Sequence, residues 1–348
     1  MSFPTQTGER QSSSTAAPAT GLRVVVLVAA TLAVATIAAG LGLLTGNPPL
    51  DPAAVIAAIR EPTADPHGVV VTELRLPRIV LALLAGGCLG LAGALLQDCL
   101  RNPLASPELL GVSGGAAFIV ACVAVLGAPI PRGALPLAAT AGGLAVGLAV
   151  IAIGARHRDP AALVLTGLAC ATFLTGGVIA VLTLGAPSDV GLFYQYLLGS
   201  LSNRSWDAVR TVLPWALGCL PAGVLLSHRL NVLRLGDDVA ASLGVPVTAT
   251  RRLVLVVACG LTAAVVAVVG PIAFVALIAP HIVRRATGVT DAWVVTSAAI
   301  LVGAVLLLAA DQAGRAITAP REVAAGVWTV LFGAPVLLAL LRAKRATA

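Results

Sequence analysis

Charged residues are scarce in this sequence of 348 residues. They make up 11% of the chain, whereas apolar residues make up 58% and the mean hydropathy is +1.00. A soluble globular domain carries about a quarter charged residues, because charge keeps its surface hydrated. The composition therefore excludes an ordinary soluble fold and makes lipid the solvent for most of the chain.

Lysine and clustered metal ligands are also missing. Lys344 is the single lysine, and the sequence has no G-x-x-x-x-G-K-[ST] loop to cradle phosphates. The six cysteines form no C-x-x-C pair, and the four histidines show no metal-ligand spacing. We therefore expect this chain to hold no catalytic residue, no metal and no bound cofactor, and any ATP to be hydrolysed by a partner subunit.

The charges that are present do not form a patch. The net charge is +7, but the arginines are dispersed over short connections between apolar runs, so nucleic acid is not an expected partner. The fifteen acidic residues lie in tails, loops or at span ends, with Asp98 and Asp311 at helix ends and Glu322 just before a helix. Proton-driven carriers usually need an ionisable group inside the bundle, so this distribution disfavours proton coupling.

Long apolar runs dominate the rest of the sequence. Each is close to the ~20 residues that span a bilayer, except 271–284, which is split from its predecessor because Pro271 breaks the helix. This predicts an all-α, polytopic transmembrane bundle of about ten helices over residues 21–345, after a disordered cytoplasmic tail at 1–20. The predicted spans are 22–44, 79–97, 109–128, 135–154, 161–184, 208–227, 253–270, 271–284, 293–310 and 323–341.

The basic residues orient these spans. Placing the N-terminus inside puts fourteen of the 22 basic residues on the cytoplasmic side and eight outside. Cytoplasmic loops carry the excess of arginine and lysine, so the sequence predicts that both termini are cytoplasmic. Small-xxx-small pairs such as Gly86/Gly90 and Gly143/Gly147 predict close helix packing.

The longest charged connection on the predicted inside face is 229–252. Apolar residues recur there at near-helical spacing, Gly236 divides the stretch, and Asp237 is expected to cap a second short helix. Two interpretations fit: a surface hairpin lying in the headgroups, or a docking surface for a cytoplasmic partner, with 229–246 as its coupling segment.

Seven segments, in order, carry a resemblance to a known family. They are RLPR (75–78), GALLQDCLRNPLASPELLGVSGGA (93–116), YLLGSL (196–201), LNVLRLGDDVAASLGV (230–245), GPIAFVALIAPHIVRR (270–285), DQAGR (311–315) and REVAAGVWTVLFGAP (321–335). Together they resemble the permeases of iron-siderophore and vitamin B12 ABC importers, the FecCD type. The resemblance implies a bacterial cell-membrane permease that pairs with a second permease chain, two ATPase subunits and an extracytoplasmic binding protein.

The resemblance also implies roles for individual residues. The coupling segment contacts the ATPase in this family, and the arginines of RLPR and DQAGR meet acidic residues of the binding protein. The alternative for each of these arginines is snorkelling to the membrane interface. The residues so nominated are Leu235, Gly236, Asp237, Asp238 and Leu243 for coupling, and Arg75, Arg78 and Arg315 for docking.

Further candidates lie near the predicted inner face. Gln97 faces either the pathway or a neighbouring helix, and Asn102 is expected to brace the turn at Asn102-Pro103. The loop with Arg156 and Asp159 lies where family members constrict the channel, so it is a gate candidate.

His281 and Arg284 share a helix face and either support coupling or brace the structure. Many family members have a proline after the acid that Glu322 matches, and this chain does not, which leaves the start of the last helix open.

Other function classes compete with this interpretation. Gly111-Val112-Ser113-Gly114 matches the G-x-S-G of rhomboid intramembrane proteases, with His281 as a nominal base. A gradient-driven secondary transporter is the second rival. Within the importer family, a ferric siderophore is the favoured substrate, and cobalamin and haem are the alternatives.

Overall fold

The computed structural model describes residues 16–46, 48–63, 65–154, 160–317 and 322–345. Within these ranges the chain is helical with short turns and contains no β-strand, which confirms the all-α prediction. The helices are α1 (Ala16–Leu44), α2 (Pro52–Arg60), α3 (Leu76–Cys99), α4 (Val112–Leu126), α5 (Leu135–Gly154), α6 (Pro160–Leu182), α7 (Pro187–Leu197), α8 (Trp206–Leu233), α9 (Asp237–Ser242), α10 (Val247–Val269), α11 (Val275–Thr287), α12 (Ala292–Ile317) and α13 (Ala325–Arg345).

Seven of these helices, over the described ranges, are long and apolar enough to cross a membrane: α1, α3, α5, α6, α8, α10 and α12. Two shorter apolar stretches, Val112–Leu126 (α4) and Ala325–Ala339 of α13, add to these seven. Together with α11, which has 13 residues, they are roughly consistent with the predicted number of about ten helices. The chain is therefore a multi-pass membrane protein. α1 begins at Ala16, so residues 16–20 are helical and do not belong to the predicted disordered tail, whose remaining residues 1–15 lie outside the described ranges.

The bundle is organised around α3 and α10, whose apolar cores are mostly buried inside the protein, whereas α1 and α6 are largely exposed at its periphery. α3 packs against α8, α10, α11 and α12. Gly86 and Gly90 make the contact with α12 possible, because a Cβ at either would lie within 2.3 Å of a carbonyl oxygen of that helix. Small residues thus allow close backbone approach where lipid supplies no hydrophobic drive.

The apolar stretch 253–283 is broken as predicted. α10 ends at Val269, and Gly270 has a φ of 84°, a conformation that glycine adopts without a Cβ penalty. α11 resumes only at Val275. Because five residues turn the chain back inside the bundle, α11 is short, with 13 residues.

Polar connections gather at the two ends of the bundle. One end, here called the α9 face, holds the end of α3, the end of α8, α9 and the start of α12. The opposite end, the α2 face, holds α2, the start of α3 and the end of α12. The Arg23 guanidinium near the start of α1 lies beside Gly288 on the α9 face.

Candidate functional site

Two tight turns fix α9 at its face. Gly236 joins α8 to α9 with a φ of 116°, which strongly favours glycine. At the other end, Val245 N–H donates to Ala240 O (3.0 Å) and Gly244 N–H donates to Ala241 O (3.0 Å). This is a Schellman motif with glycine in the left-handed conformation. The helix cap is Gly236 and not Asp237, so the predicted cap was wrong by one residue, because the Asp237 carboxylate is turned towards arginines instead.

α9 and its two flanking turns carry exposed apolar residues, here called the exposed stripe. Leu235 lies before Gly236, Val239 lies in α9 and Leu243 is its C-cap, and they are 64%, 45% and 62% exposed, whereas Ala240 in α9 is buried. Asp238 is exposed beside the stripe, and both Asp237 and Asp238 lie in the first turn, where negative charge complements the helix dipole. A contiguous apolar surface rimmed by charge is typical of an interaction site.

Asp237 clamps α9 to the bundle. Its carboxylate pairs with Arg101, which follows α3, and with Arg251 in α10 (3.1 Å). Arg101 also donates from Nε to Leu233 O (3.1 Å), which closes the corner between α8 and α9. Burial opposes the charge on Asp237, but the attraction of Arg251 and Arg101 outweighs it and holds the pKa of the carboxyl below its ordinary value.

Asp98, three residues before Arg101 in the sequence, forms a second clamp. Its Oδ1 accepts from Arg234 Nη2 (2.5 Å), at the end of α8, and from Arg284 Nη2 (2.7 Å) in α11. The Asp98 side chain is 5% exposed, and its Oδ2 has no hydrogen-bond donor. A buried carboxylate that joins three helices is costly to remove, because two arginines would lose their partner.

A third link ties α8 to α12. Asn231 Nδ2 donates to Asp291 Oδ2 (2.7 Å), and Ala292 N–H donates to Asn231 Oδ1 (2.7 Å). Asp291 in turn accepts from Trp293 N–H (2.9 Å) at the start of α12. The segment 229–246 is therefore bonded to Arg101 after α3 and to α3, α10, α11 and α12, and the link through Asp237 comes from α9 itself.

The structure places the remaining inner-face candidates as follows. Gln97 is buried and bridges α3 and α11, because its Nε2 donates to Leu277 O (3.1 Å) and its Oε1 accepts from Arg284 Nη1 (2.6 Å).

Asn102 Oδ1 accepts from Leu104 N–H (2.9 Å), as expected of a residue that braces a turn. His281 Nδ1 lies 2.9 Å from Leu277 O. The gate candidates Arg156 and Asp159 lie outside the described residues.

On the α2 face, Arg75 and Arg315 point into the protein. Arg75 donates to the carbonyls of Leu43 and Pro48. Arg315 donates to the carbonyls of Gly42 (3.1 Å) and Thr45. Both side chains therefore brace the end of α1, and their role in docking stays a prediction.

Arg78 is held by carboxylates. Its Nε and Nη2 donate to Asp311 (2.9 Å each), and its Nη1 donates to Glu322 Oε2 (2.8 Å). Ser202 Oγ donates to the same Glu322 oxygen (2.8 Å). Burial opposes the charge on Glu322, but Arg78, Ser202 and Arg315 together lower its pKa. The docking role of Arg78 likewise stays a prediction.

A cavity of about 750 Å³ opens between these residues. Arg75, Arg78 and Arg315 line it together with Glu322 and Arg204. No role was predicted for Arg204 from the sequence. Its position just after the YLLGSL segment, in a loop between two spans, could have indicated a functional residue. The clamps at Asp98 and Asp237 were also missed, because their partners are distant in sequence.

The protease alternative is not supported. Ser113 lies in the first turn of α4, which packs against α5, α6, α7 and α10, whereas His281 lies in α11, which packs against α1, α3, α12 and α13. A Ser–His pair needs hydrogen-bond reach, and the packing assigns the two residues to different parts of the bundle.

Comparison with known proteins agrees with the fold. Residues 32–343 match the FecCD transport family. The Fe(3+)-citrate import system permease protein YfmE of Bacillus subtilis is 38% identical over 78% of this chain and 82% of its own length. The cobalamin import system permease protein BtuC of Halobacterium salinarum is 39% identical over 80% of this chain and 75% of its own.

The fold has a solved counterpart. A metal-chelate type ABC transporter in an inward-facing conformation superimposes with a TM-score of 0.78 and 26% identity, over 92% of this chain and 99% of that one. The curated relatives are named as permeases, so the chain is a transport subunit and not an enzyme. With a match over residues 32–343, which is most of its length, this chain belongs to the FecCD transport family.

Proposed function

We propose that this chain is the membrane-spanning subunit of an ATP-driven importer that carries a ferric siderophore inward. A separate ATPase docks on the exposed stripe Leu235, Val239 and Leu243, with Gly236 and Asp238 beside it. The observation that carries this proposal is the combination of an exposed apolar helix with three polar links that bond its segment to four transmembrane helices. An apolar contact supplies affinity, and the bonded support converts movement of the partner into movement of the bundle.

The remaining parts of the proposal follow the same arrangement. The α9 face is cytoplasmic, which also places both chain ends in the cytoplasm. The α2 face then receives an extracytoplasmic binding protein, and Arg75, Arg78 and Arg315 stand at that entrance. Two ATPase subunits and a second permease chain, identical or paralogous, complete the transporter. Within this chain, Gln97, Asn102, Arg156 and Asp159 remain pathway or gate candidates, and His281 and Arg284 support the coupling surface.

The substrate class rests on relatives and on charge. One relative is named for Fe(3+)-citrate import and another for cobalamin import. Ferric complexes of carboxylate and catecholate ligands are anionic, and the cavity on the α2 face is lined by four arginines and one glutamate. Electrostatic complementarity of this kind favours the ferric chelate. Cobalamin and haem are the competing substrates.

Uptake of radioactive iron tests this function. Cells with and without this chain are offered a panel of ferric siderophores, and cells that lack the cognate ATPase are run beside them. We expect the uptake of one chelate to require both proteins. Uptake that persists without the ATPase but collapses with the ion gradient would instead identify a secondary transporter, and uptake of cobalamin or haem alone would replace the substrate.

A further inference from the structure

The four arginines of the α2-face cavity differ in what holds them. Arg78 reaches Asp311 and Glu322, while Arg75 and Arg315 donate to backbone carbonyls at the end of α1. Arg315 Nε also lies 3.9 Å from Glu322. These three side chains are committed to the architecture of the cavity wall.

Arg204 has no such commitment. No described carboxylate pairs with it, and its Nε atom is buried without a hydrogen-bond acceptor. The side chain is only partly exposed, and burial lowers its pKa, an effect that the neighbouring Tyr196 offsets only in part. A partly buried guanidinium with an unsatisfied donor calls for an explanation, since buried donors in proteins are nearly always bonded.

The loop that carries Arg204 is anchored on both sides. Ser200 N–H donates to Val269 O (2.8 Å), and Trp206 Nε1 donates to Thr72 O (2.8 Å). Between these anchors, Asn203 adopts a φ of 56°, a left-handed conformation that asparagine tolerates better than most residues. The backbone therefore presents Arg204 to the cavity from a fixed position, which reduces the entropy lost when a ligand binds.

We propose that Arg204 is the anion-receiving group of this cavity and binds a carboxylate or catecholate oxygen of the entering chelate. This inference rests on the proposed function and names the chemistry of its substrate: an oxyanion-bearing chelate. The cavity volume of about 750 Å³ suits a small chelate, since ligand pockets commonly measure about 300–1,000 Å³. Four arginines against Glu322 and Asp311 leave two positive charges for the ligand to neutralise.

Calorimetry on the reconstituted transporter tests the proposal. The full permease–ATPase complex is placed in lipid nanodiscs without binding protein and titrated with citrate and, separately, with 2,3-dihydroxybenzoate. We expect the wild type to bind at least one probe, Arg204→Gln to weaken that binding about tenfold, and Arg204→Lys to retain part of it. Arg210→Gln is the matched control, because Arg210 is exposed and already paired with Asp207 (3.1 Å).

Two results would overturn the proposal: the wild type binds neither probe, or Arg204→Gln binds the probe as well as the wild type does. In the second case, a weaker association of Arg204→Gln with chelate-free binding protein would assign the anion to an acidic side chain of that protein. Basal ATPase activity and elution volume show that each variant is folded. Arg204-dependent citrate binding in a transporter that takes up no ferric chelate would keep the anion site and remove the siderophore assignment.

Discussion

The two polar ends of this bundle hold their arginines in different ways. At the α9 face, two aspartates bind four arginines, and each of those arginines reaches a carboxylate. At the α2 face, Arg75 has only carbonyl acceptors among the described residues, and Arg204 has no hydrogen-bond partner there. Every arginine of the two clamps therefore has a carboxylate partner, whereas Arg75 and Arg204 at the other end have none among the described residues.

This difference matches the tasks that we assign to the two ends. A surface that transmits force needs internal rigidity, and its clamps at Asp98 and Asp237 leave only an apolar stripe free for a partner. An entrance that receives an anion must instead keep a cation available. The proposed tasks thus account for arginines that all meet a carboxylate at one end and for arginines that meet none at the other.

Removing the Asp98 carboxylate should produce the largest effect. Asp98→Ala leaves Arg234 and Arg284 without their shared partner, and loss of one member of a buried pair costs about 3–5 kcal/mol. We expect a clear fall of the Tm in detergent. Asp207→Ala is the control, since its pair with Arg210 is exposed and should change stability by less than about 1 kcal/mol. Equal Tm values for the two variants would mean that the buried pairs of Asp98 stabilise the protein no more than the exposed pair of Asp207 does.

Arginine substitutions compare how much stability the arginines at each end of the bundle contribute. Arg284→Gln deletes charge-assisted bonds to Asp98 and Gln97 and should cost about 1.5–3 kcal/mol. Arg204→Gln deletes no bond and should shift the free energy of unfolding by no more than about 0.5 kcal/mol. Thermal unfolding of both variants under one condition measures the contrast. A loss of stability in Arg204→Gln equal to that in Arg284→Gln would mean that Arg204 has a structural role.

The sequence predicts the helices well and the clamps poorly. Ten apolar runs and the break at Gly270-Pro271 are local signals, because hydropathy and proline act on their own segment. The clamps join residues that lie far apart in sequence: Asp98 meets Arg234 across 136 positions and Arg284 across 186. Periodicity places each of these at the right end of a helix but does not select its partner.

The sequence also did not predict the orientation of the arginine side chains. RLPR and DQAGR place Arg75, Arg78 and Arg315 at one end of the bundle, as found, but only packing decides whether a guanidinium turns outward or inward. The ends of α8, α10 and α12 extend by several residues beyond the predicted spans, because polar residues continue a helix outside the lipid.

A smaller effect is expected at the second clamp. The Asp237 side chain is 42% exposed, so its pairs with Arg101 and Arg251 are partly screened by water. Asp237→Asn should cost about 0.5–1 kcal/mol, and co-purification of the ATPase should fall about two- to fivefold as α9 loses its support. Asp238→Asn, which alters an exposed acid with no such pair, separates loss of support from loss of surface charge. An unchanged yield of ATPase with Asp237→Asn would contradict the clamp.

The pH dependence of that clamp should be the smallest effect. Because the folded pKa of Asp237 lies below its ordinary value of 3.8, the stabilisation is fully present above that value and is lost as pH falls through the lower, folded pKa. The difference in Tm between the wild type and Asp237→Asn should therefore stay constant from pH 8 to pH 5. A difference that shrinks within this range would mean that the carboxylate titrates higher than its arginine partners allow.

Co-purification of the ATPase with variants of the exposed stripe tests directly whether the α9 face is its docking surface. The double variant Leu235→Ser/Leu243→Ser changes two exposed side chains and no clamp, and Ile56→Ser/Ile59→Ser is its matched control on the exposed surface of α2. Both are purified from membranes with the cognate ATPase co-expressed. We expect the α9 variant to reach its normal abundance in the membrane but to lose the ATPase. We expect the α2 variant to retain it. Full retention by the α9 variant would contradict the assignment of this face as the coupling surface.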